Sequence, residues 1–374
     1  MADLVALALP GGPAFVTALQ RVWAAGDAVF PLDLRLPPAQ QRRVLAAMAP
    51  ARLVDAGGSM VALEGGRPVE AGDALVMATS GTTGEPKGVV LTHDAVAASA
   101  RATSARLGAR AADHWLSCLP LAHIGGLSVV TRALATGTGL TVLPSFSVEA
   151  VRAAVDGGAN LVSLVPTALA RVDPSWFRVI LLGGSRPPAD RPPNALATYG
   201  MTETGSGVVY DGVPLDGVEI RIDASGAVHV RGPMLLRAYR HGVDPKDADG
   251  WLRTGDLGEW GPDGRLVVHG REGDLIVTGG ENVWPEPVEA LLARVPGVAE
   301  AAVAGVPDAE WGHAVTAFVV PLDPADPPSL DALRAAVKAG LPPWCAPRRL
   351  ELVAARPRTA LGKVRRADLV AGPR

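Results

Sequence analysis

The decisive stretch of this sequence is Thr79-Ser80-Gly81-Thr82-Thr83-Gly84-Glu85-Pro86-Lys87-Gly88. It lies between two short apolar runs, residues 74–77 and 89–91, which predict a strand on either side. Its three glycines permit backbone angles that other residues avoid, so several amide N–H groups can converge on one position. The hydroxyl groups and the Lys87 ammonium add further donors, and donors around a flexible turn suit a bound polyphosphate.

This loop differs from the P-loop of the common nucleoside triphosphatases. That motif needs Gly directly before its Lys and Ser or Thr directly after it, whereas Pro86 and Gly88 flank Lys87 here. A plain Gly/Thr turn between two strands is the structural alternative. The stretch as a whole resembles the phosphate loop of the adenylate-forming superfamily, which includes acyl-CoA synthetases, peptide-synthetase adenylation domains and luciferases.

The resemblance implies an enzyme that uses ATP, with Mg²⁺ as its metal ion, and it assigns Thr83 a part in catalysis. The implied phosphate-binding residues are Thr79, Ser80, Gly81, Thr82, Thr83, Gly84 and Lys87. Lysine is rare in this chain, with four lysines against 31 arginines. A lysine within a loop motif, such as Lys87 or Lys363, is therefore expected there for its compact ammonium group.

The composition is that of an ordinary globular protein, with 48% hydrophobic and 20% charged residues. A length of 374 residues predicts two or three domains. The net charge of −3 gives no electrostatic case for binding nucleic acid, and no apolar run approaches the length of a membrane span. Cys118 and Cys345 lack a metal-type spacing, which predicts reduced, buried thiols in a cytoplasmic protein.

Periodicity predicts the fold class. From residue 73 to about residue 265, strand-like runs alternate with helical patterns, which indicates βα units and mostly parallel sheets. Runs near 218–222, 227–231 and 266–269 are separated by Gly/Asp turns and predict an antiparallel or barrel-like sheet. We predict an α/β fold with a large N-terminal domain over 1–270 and a small, mobile C-terminal α/β domain over 271–374. By the resemblance, the larger domain binds AMP and the acyl group and is shortened at its N-terminus.

A second motif, Tyr199-Gly200-Met201-Thr202-Glu203-Thr204, follows a predicted strand. An aromatic ring can stack on adenine, and carboxylate and hydroxyl oxygens suit a magnesium ion bound to phosphate. A Glu in a turn is, by itself, more often only solvated. By the resemblance, Tyr199 stacks on adenine, while Glu203 binds Mg²⁺ and acts in catalysis. The other nucleotide-binding residues implied are Gly183, Gly184, Ser185, Gly200, Thr202, Asp256, which would bind the ribose, and Arg271.

The basic tail carries Lys363, which resembles the adenylation lysine of the family. That lysine bridges the carboxylate and the α-phosphate, whereas a lysine in a basic tail is otherwise a solvated charge. Attack of a carboxylate on phosphorus brings two anions together, so positioning and charge neutralisation supply most of the catalysis. Gly273 occupies the family's hinge position, where many members carry Asp or Lys, and glycine tolerates large backbone changes. Residues 279–283 resemble the loop that swings in for thioester formation.

The turn His123-Ile124-Gly125-Gly126-Leu127-Ser128 lies where the family builds its acyl pocket. The structural alternative for His123 is a histidine at the edge of the core. The chain looks most like short actinobacterial o-succinylbenzoate–CoA ligases of menaquinone synthesis, in which a basic residue near this point can meet the second carboxylate. The acyl-binding residues implied are His123, which would also be catalytic, Gly125, Gly126, Ser128, Arg132, Gly205 and Ser206.

Three functions stay open at this level. The first is an acid–CoA ligase, which forms an acyl-adenylate from ATP and then a thioester with coenzyme A. The second is a stand-alone adenylating enzyme that loads a carrier protein, and the third is a non-enzymatic nucleotide-binding protein. Glu203 and Lys363 are both present, which counts against the third. Cys118 lacks an evident base, so no covalent acyl-enzyme is expected; a homo-oligomer is left open.

Overall fold

The computed structural model describes residues 2–80, 86–184, 187–188, 190–357 and 364–371. Within these ranges the α-helices are α1 (Pro13–Ala24), α2 (Pro38–Met48), α3 (His93–Leu107), α4 (Ile124–Thr136), α5 (Val148–Asp156), α6 (Pro166–Leu169), α7 (Pro285–Leu292), α8 (Leu330–Lys338) and α9 (Arg366–Val370). The strands of the first half are β1 (Leu4–Leu7), β2 (Ala28–Pro31), β3 (Arg52–Val54), β4 (Met60–Ala62), β5 (Asp73–Ser80), β6 (Pro86–Thr92), β7 (His114–Ser117), β8 (Gly139–Val142), β9 (Leu161–Leu164) and β10 (Val179–Leu182). The strands of the second half are β11 (Ala195–Met201), β12 (Ser206–Tyr210), β13 (Val213–Pro214), β14 (Glu219–Ile222), β15 (Ala227–Arg231), β16 (Ala238–Tyr239), β17 (Leu252–Trp260), β18 (Leu266–Arg271), β19 (Ile276–Thr278), β20 (Glu281–Val283), β21 (Val298–Asp308), β22 (Gly312–Pro321) and β23 (Arg349–Leu352).

The first sheet carries the phosphate-loop motif. Its strand order is β16-β6-β5-β2-β1-β3-β4. The inner strands β3, β1, β2 and β5 run parallel, while β6 returns antiparallel to β5 and β16 antiparallel to β6. Every residue of β1 and β2 is buried, as expected for parallel strands that are covered on both faces.

The second sheet has the order β13-β12-β11-β10-β9-β7-β8. Strands β8, β7, β9, β10 and β11 are parallel, and β12 and β13 extend the sheet antiparallel. Short apolar sequences such as that of β10, residues 179–182, place three of their four residues in the core. Because the carboxyl ends of parallel strands lie at one edge of a sheet, the turns that follow β7, β9 and β10 share that edge.

Helix ends follow from local side-chain chemistry. The Thr92 hydroxyl accepts a hydrogen bond from the Ala95 amide at 3.1 Å and begins α3, and Gly108 ends it in the left-handed conformation at φ 55°. Ser147 and Ser329 cap α5 and α8 in the same way as Thr92 caps α3. Capped ends keep the helix donors satisfied, so each helix begins at a defined residue.

Two further sheets complete the fold. One has the order β14-β15-β17-β18, and its strands include those predicted to form a barrel-like part. The other has the order β20-β19-β22-β21, with β23 parallel to β22. Helices α7 and α8 pack together, and α7 and α9 pack against β21. The predicted α/β class, with a large N-terminal part and a small C-terminal α/β part, is confirmed. The prediction of mostly parallel sheets is wrong for the first sheet, which is mixed, because β4, β6 and β16 each pair antiparallel with a neighbour.

The chain divides into two compact units. The first comprises Met1–Arg221, His229–Arg253 and Trp260–Leu266, and the second comprises Ile222–Val228, Thr254–Glu259 and Val267–Arg374. The domain boundary between residues 270 and 271 stays a prediction. In the part of the chain that the structure describes, no helix is both long and apolar enough to cross a membrane.

Candidate active site

The phosphate-loop motif forms the end of a β-hairpin. Strands β5 and β6 pair Thr79 with Lys87 and Ser80 with Pro86, and the Thr79 hydroxyl donates to the Lys87 carbonyl at 3.4 Å. Gly88 has no room for a side chain, since a Cβ atom there would lie 2.7 Å from Met48 Sδ. The hairpin therefore holds Thr79 and Lys87 side by side. The predicted residues Gly81, Thr82, Thr83 and Gly84 lie outside the described residues.

Glu203 lies in a one-turn 3₁₀ helix, Thr202–Thr204, directly after β11. One carboxylate oxygen accepts a hydrogen bond from the Tyr239 hydroxyl at 3.1 Å. The Lys87 ammonium lies 5.4 Å from the centre of the same tyrosine ring. Tyr239 thus links the predicted phosphate-binding lysine to the predicted metal-binding carboxylate. Tyr239 was not predicted from the sequence, because nothing local in residues 234–243 marks it as part of a site.

The predicted adenine-binding residues lie around the carboxyl ends of two neighbouring strands. Gly183 and Gly184 follow β10, and Gly184 has φ 84°, a value that favours glycine. Tyr199 and Gly200 belong to β11, which pairs with β10. A Cβ atom on Gly200 would lie 2.1 Å from the Ser206 carbonyl oxygen, so only glycine fits there. Ser185 is outside the described residues.

His123 immediately precedes α4 and contacts residues from a distant part of the chain. Its Nε2 lies 3.4 Å from Asp33 Oδ2 and 2.5 Å from Arg35 Nη2. Burial by itself raises the pKa of Asp33, but hydrogen bonds from Arg35 and His123 outweigh burial and hold that pKa well below its usual range. Asp33 and Arg35 were also missed, because residues 88 or more positions apart cannot be paired from local patterns.

The glycines of the acyl turn serve close packing. Gly126 is buried, and a Cβ atom there would lie 2.5 Å from the carbonyl oxygens of Leu119 and Pro120. The Ser117 hydroxyl donates to the Gly126 carbonyl at 3.1 Å. Gly125 has more room, since the nearest atom to a Cβ there is a Leu119 methyl at 3.8 Å. The start of α4 therefore lies directly against the segment that follows β7.

Arg132 is the unusual residue of α4, because it is a cation with an exposed fraction of only 2%. Its guanidinium carbon lies 4.7 Å from the centre of the Trp115 ring. Among the described residues, neither its Nε nor its Nη1 has a hydrogen-bond partner. Burial lowers the pKa of this guanidinium. A buried cation with free donors is costly to keep, and it suits an anionic ligand.

The remaining predicted acyl residues lie in α4 or on elements that pack against it. Ser206 begins β12 and its hydroxyl lies 3.0 Å from the Ser99 hydroxyl of α3. Gly205 precedes it with φ 68°. Ser128 is buried within α4, and its carbonyl accepts a hydrogen bond from the Thr131 hydroxyl. Since α4 packs against both α3 and β12, these residues belong to one region of the first unit.

In the second unit, Asp256 is buried and its Oδ1 lies 2.9 Å from Arg271 Nε. The Arg271 Nη1 also donates to the Thr254 carbonyl at 2.9 Å. Gly255, between Thr254 and Asp256 within β17, has φ 76°, a value that favours glycine. The structure therefore brings together two of the residues that the resemblance assigns to nucleotide binding.

The structure describes the predicted hinge residue Gly273 but only part of the basic tail near Lys363. Gly273 lies in the 3₁₀ turn Glu272–Asp274, and a Cβ atom there would meet open space. Lys363 lies outside the described residues. Arg366, three positions later, forms ion pairs with Asp274 at 2.9 Å, Glu289 at 3.0 Å and Glu286. These contacts attach α9 to α7 and to the turn that contains Gly273.

Glu203 is the residue whose chemistry fits a magnesium ion. In the described residues, no group of three or more His, Cys, Asp or Glu side chains could hold a metal ion alone. Magnesium usually keeps several waters and binds through one or two carboxylates together with substrate phosphates. Glu203 matches this way of binding magnesium, because it offers a single carboxylate in the turn that follows β11. One oxygen of that carboxylate is held by the Tyr239 hydroxyl.

Comparison with known proteins identifies the family. The model of AMP-binding enzymes matches residues 62–240, and the model of the AMP-binding enzyme C-terminal domain matches residues 287–363. A probable 2-succinylbenzoate–CoA ligase from Mycobacterium tuberculosis is 39% identical over 98% of this chain and 97% of that protein. A 2-succinylbenzoate–CoA ligase from Bacillus anthracis is 36% identical over 66% of this chain and 59% of that protein.

Solved structures agree with the sequence relatives. The o-succinylbenzoate CoA synthetase of Bacillus subtilis, in complex with its acyl-adenylate intermediate, has a TM-score of 0.87 at 30% identity and covers 98% of this chain and 88% of that chain. The same enzyme in complex with ATP and a magnesium ion has a TM-score of 0.86 at 29% identity, and the match covers 98% of this chain and 89% of that chain. The predicted superfamily is confirmed: this chain belongs to the family of AMP-binding enzymes.

Proposed function

We propose that this protein is an AMP-forming acid–thiol ligase that joins 2-succinylbenzoate to coenzyme A, a step of menaquinone biosynthesis. The names of its relatives support this assignment. The structural observation that carries it is Arg132, a buried cation beside the predicted acyl region whose Nε and Nη1 have no hydrogen-bond partner in the described part of the chain. A dicarboxylic acid would place one carboxylate at the reaction centre and the other at this guanidinium.

ATP would bind at the β5–β6 hairpin and at the turns after β10 and β11. Thr79 and Lys87 would contact the phosphates, Tyr199 the adenine, and Asp256 with Arg271 the ribose and α-phosphate. Magnesium, held by Glu203 and the phosphates, would neutralise the negative charge that builds up on the phosphate oxygens. The first unit would bind the acid near His123, whose ring is oriented by Asp33 and Arg35.

The reaction has two steps that share the acyl-adenylate. In the first, a carboxylate oxygen attacks the α-phosphorus, the bond between the α-phosphorus and its bridging oxygen breaks, and pyrophosphate leaves. Lys363 would stabilise the two anions as they meet. In the second step, the sulfur of coenzyme A attacks the acyl carbon, the acyl–phosphate bond breaks, AMP leaves, and the thiol proton passes to solvent. We propose that rotation about Gly273 separates the two steps.

No protein nucleophile is needed in this scheme. Cys118 is buried, and burial raises the pKa of its thiol to about 12. A thiol in that state is a poor nucleophile. A cytoplasmic location is part of the proposal, since ATP and coenzyme A are the co-substrates.

The assay that tests the proposal is ATP–pyrophosphate exchange across a panel of aromatic and aliphatic carboxylic acids. We expect the strongest exchange with 2-succinylbenzoate, followed by thioester formation when coenzyme A is added. Loading of a carrier protein without any coenzyme A thioester would favour the carrier-loading alternative. No exchange with any acid of the panel would contradict adenylate formation.

A lysine variant separates the half-reactions. Lys363→Ala should abolish adenylate formation while sparing thioester formation from preformed acyl-adenylate, because only the first step brings two anions together. Lys338→Ala, at the exposed end of α8, is the matched control and should leave both steps unchanged. Equal loss of both half-reactions in Lys363→Ala would argue against alternation of the C-terminal domain.

A further inference from the structure

Tyr239 lies between two side chains that the proposed function assigns to the triphosphate. Its hydroxyl donates to Glu203 Oε1 at 3.1 Å, and the centre of its ring lies 5.4 Å from Lys87 Nζ. The three residues come from three different segments of the first unit: β6, the turn after β11, and β16. A single side chain therefore contacts both charged partners.

The segment that carries Tyr239 is held against the phosphate hairpin by the backbone. Tyr239 pairs with Val89 of β6 in the edge strand β16, and the Arg240 amide donates to the Gly88 carbonyl at 2.6 Å. The Arg240 side chain donates to the carbonyls of Met48 at 3.0 Å and Pro68 at 2.7 Å. The backbone pairing with β6 thus sets the position of Tyr239 relative to Lys87.

Glu203 is held twice by the same segment. Its carbonyl accepts a hydrogen bond from the Leu236 amide at 2.8 Å, and its carboxylate accepts from Tyr239. The first contact fixes the backbone of the turn, and the second restricts the rotamer of the glutamate side chain. Less ordering of the carboxylate is then needed when a ligand binds. The hydroxyl engages one carboxylate oxygen, and within the described part of the chain no hydrogen bond engages the other, which leaves it open to a cation.

The ring makes a separate contribution through Lys87. A lysine ammonium within about 6 Å of an aromatic ring centre is attracted by the negative face of the ring. This attraction limits the directions in which a four-carbon side chain can place its charge. Phenylalanine would keep the ring and lose the hydroxyl, whereas leucine would lose both, so the two contacts can be tested separately.

We propose that Tyr239 is a positioning residue that sets Glu203 and Lys87 at a fixed spacing around the triphosphate. Its hydroxyl supports the magnesium-dependent part of ATP binding, through Glu203. Its ring supports the metal-independent part, through Lys87. The proposal rests on the proposed function, because it takes Glu203 and Lys87 as the residues that meet the metal ion and the phosphates.

The test is calorimetric titration of ATP, without any acid substrate, into the full chain in either magnesium or EDTA. The quantity compared is the ratio of the two dissociation constants. For Tyr239→Phe we expect ATP affinity in magnesium to fall by about 10-fold, the usual size of a lost contact behind a metal ligand, with affinity in EDTA within about 2-fold of wild type. For Tyr239→Leu we expect affinity to fall in both buffers.

Tyr210→Phe is the matched control. Tyr210 is buried, and its hydroxyl lies 3.1 Å from the Thr103 hydroxyl. Like Tyr239→Phe, this substitution removes a hydrogen-bonded tyrosine hydroxyl from the first unit. The ratio of dissociation constants should stay unchanged in this variant. Melting temperatures of all variants report whether each still folds.

Repeating the substitution in a protein that already carries Glu203→Gln tests whether Tyr239 acts through Glu203. In Glu203→Gln, adding Tyr239→Phe should no longer change the magnesium dependence, because the hydroxyl acts through the carboxylate. The inference would be overturned if Tyr239→Phe left the ratio of the dissociation constants in magnesium and EDTA unchanged. It would also be overturned if Tyr239→Phe changed that ratio as much in Glu203→Gln as in the wild-type protein. Failure of the wild-type protein to bind ATP in magnesium would instead contradict the proposed function.

Discussion

The guanidinium of Arg132 lies over the indole of Trp115, 4.7 Å from the ring centre, in the interior of the first unit. Both residues are almost completely buried. Two guanidinium nitrogens have no hydrogen-bond partner among the described residues. The aromatic ring offsets part of the cost of burial, but a carboxylate would offset more of it. This relationship leads to the first prediction.

Arg132→Leu should raise KM for 2-succinylbenzoate by about 30-fold. This corresponds to a loss of about 2 kcal/mol in binding free energy, the size expected when one partner of a buried charge pair is removed. KM for ATP should stay near the wild-type value, and the unliganded melting temperature should not fall, because an unpaired buried charge is removed. Steady-state kinetics and thermal unfolding check these points. A monocarboxylate analogue should show a much smaller change in KM.

Arg152→Leu is the control for Arg132→Leu. Arg152 also lies over a tryptophan, with its guanidinium carbon 5.1 Å from the Trp176 ring centre, but its side chain is half exposed on α5. Neither KM should change in this variant. A similar rise in KM for 2-succinylbenzoate in both variants would refute a specific role for Arg132.

Asp33→Asn should lower kcat/KM for the acid by about 10-fold, because the carboxylate that orients His123 loses its charge. ATP binding, measured by calorimetry, should not change. Asp156→Asn removes an exposed carboxylate that pairs with Arg152 on α5 and should have no effect on either quantity. An unchanged kcat/KM in Asp33→Asn would mean that His123 is held by other contacts.

Asp113→Asn should destabilise the first unit by about 3 kcal/mol, the usual cost of breaking a buried ion pair from one side. Asp113 is buried, and its carboxylate accepts hydrogen bonds from Arg178 Nε and Nη2 at 3.0 Å and 2.5 Å, from Asn160 and from the Arg110 amide. Denaturant unfolding measures the loss. Glu219→Gln, which removes an exposed partner of Arg231, is the control and should leave the free energy of unfolding unchanged.

The same carboxylate predicts a pH dependence of stability. Burial by itself raises the pKa of Asp113, but the hydrogen bonds, first those from Arg178, outweigh it and hold the pKa below its ordinary value of 3.8. A group whose pKa is lower in the folded state stabilises the protein above its unfolded pKa, and the contribution is lost as the pH falls through the folded pKa. Between about pH 5 and about pH 2, wild-type stability should therefore fall more steeply than that of Asp113→Asn. Parallel curves for the two proteins would contradict this assignment.

Asp256→Asn should raise KM for ATP by about 10-fold, because the neutral amide that replaces the carboxylate cannot form the ion pair with Arg271. KM for the acid should change little. Asp263→Asn, which removes an exposed partner of Arg265, is the control and should leave both constants unchanged. A selective rise in KM for the acid would show that Asp256 does not bind the nucleotide.

Cys118→Ala should retain both half-reactions, with kcat within about 3-fold of wild type, since a thiol whose pKa is raised to about 12 does not act as a nucleophile at neutral pH. The native thiol should also resist alkylation by iodoacetamide, as should Cys345, whose pKa is raised by burial and by Glu281. Mass spectrometry of the intact protein after incubation with ATP and acid checks for an acyl adduct. An acyl group bound to Cys118 would contradict the two-step scheme.

Contiguous patterns in the sequence were enough to predict much of this protein. The glycine-rich stretch at 79–88, the turn at 199–204 and the apolar runs of the parallel strands each depend on residues that are neighbours in the chain. Turn chemistry and periodicity act over a few residues, so they can be recognised without a structure. The α/β class and the placement of site residues after strands follow from such patterns, and the superfamily follows from the resemblance of these motifs to those of a known family.

Tertiary structure alone decided the partners of those residues. Tyr239 meets Glu203 and Lys87, Asp33 meets His123, and Asp113 accepts from Arg178, across separations of 36 to 152 residues in the chain. These contacts depend on the order and register of strands within the sheets, which no local pattern encodes. Arg132 shows the same limit. The resemblance implied an acyl contact, but only the packing of α4 against its neighbours leaves this charge buried beside Trp115, with two guanidinium nitrogens that lack a hydrogen-bond partner among the described residues.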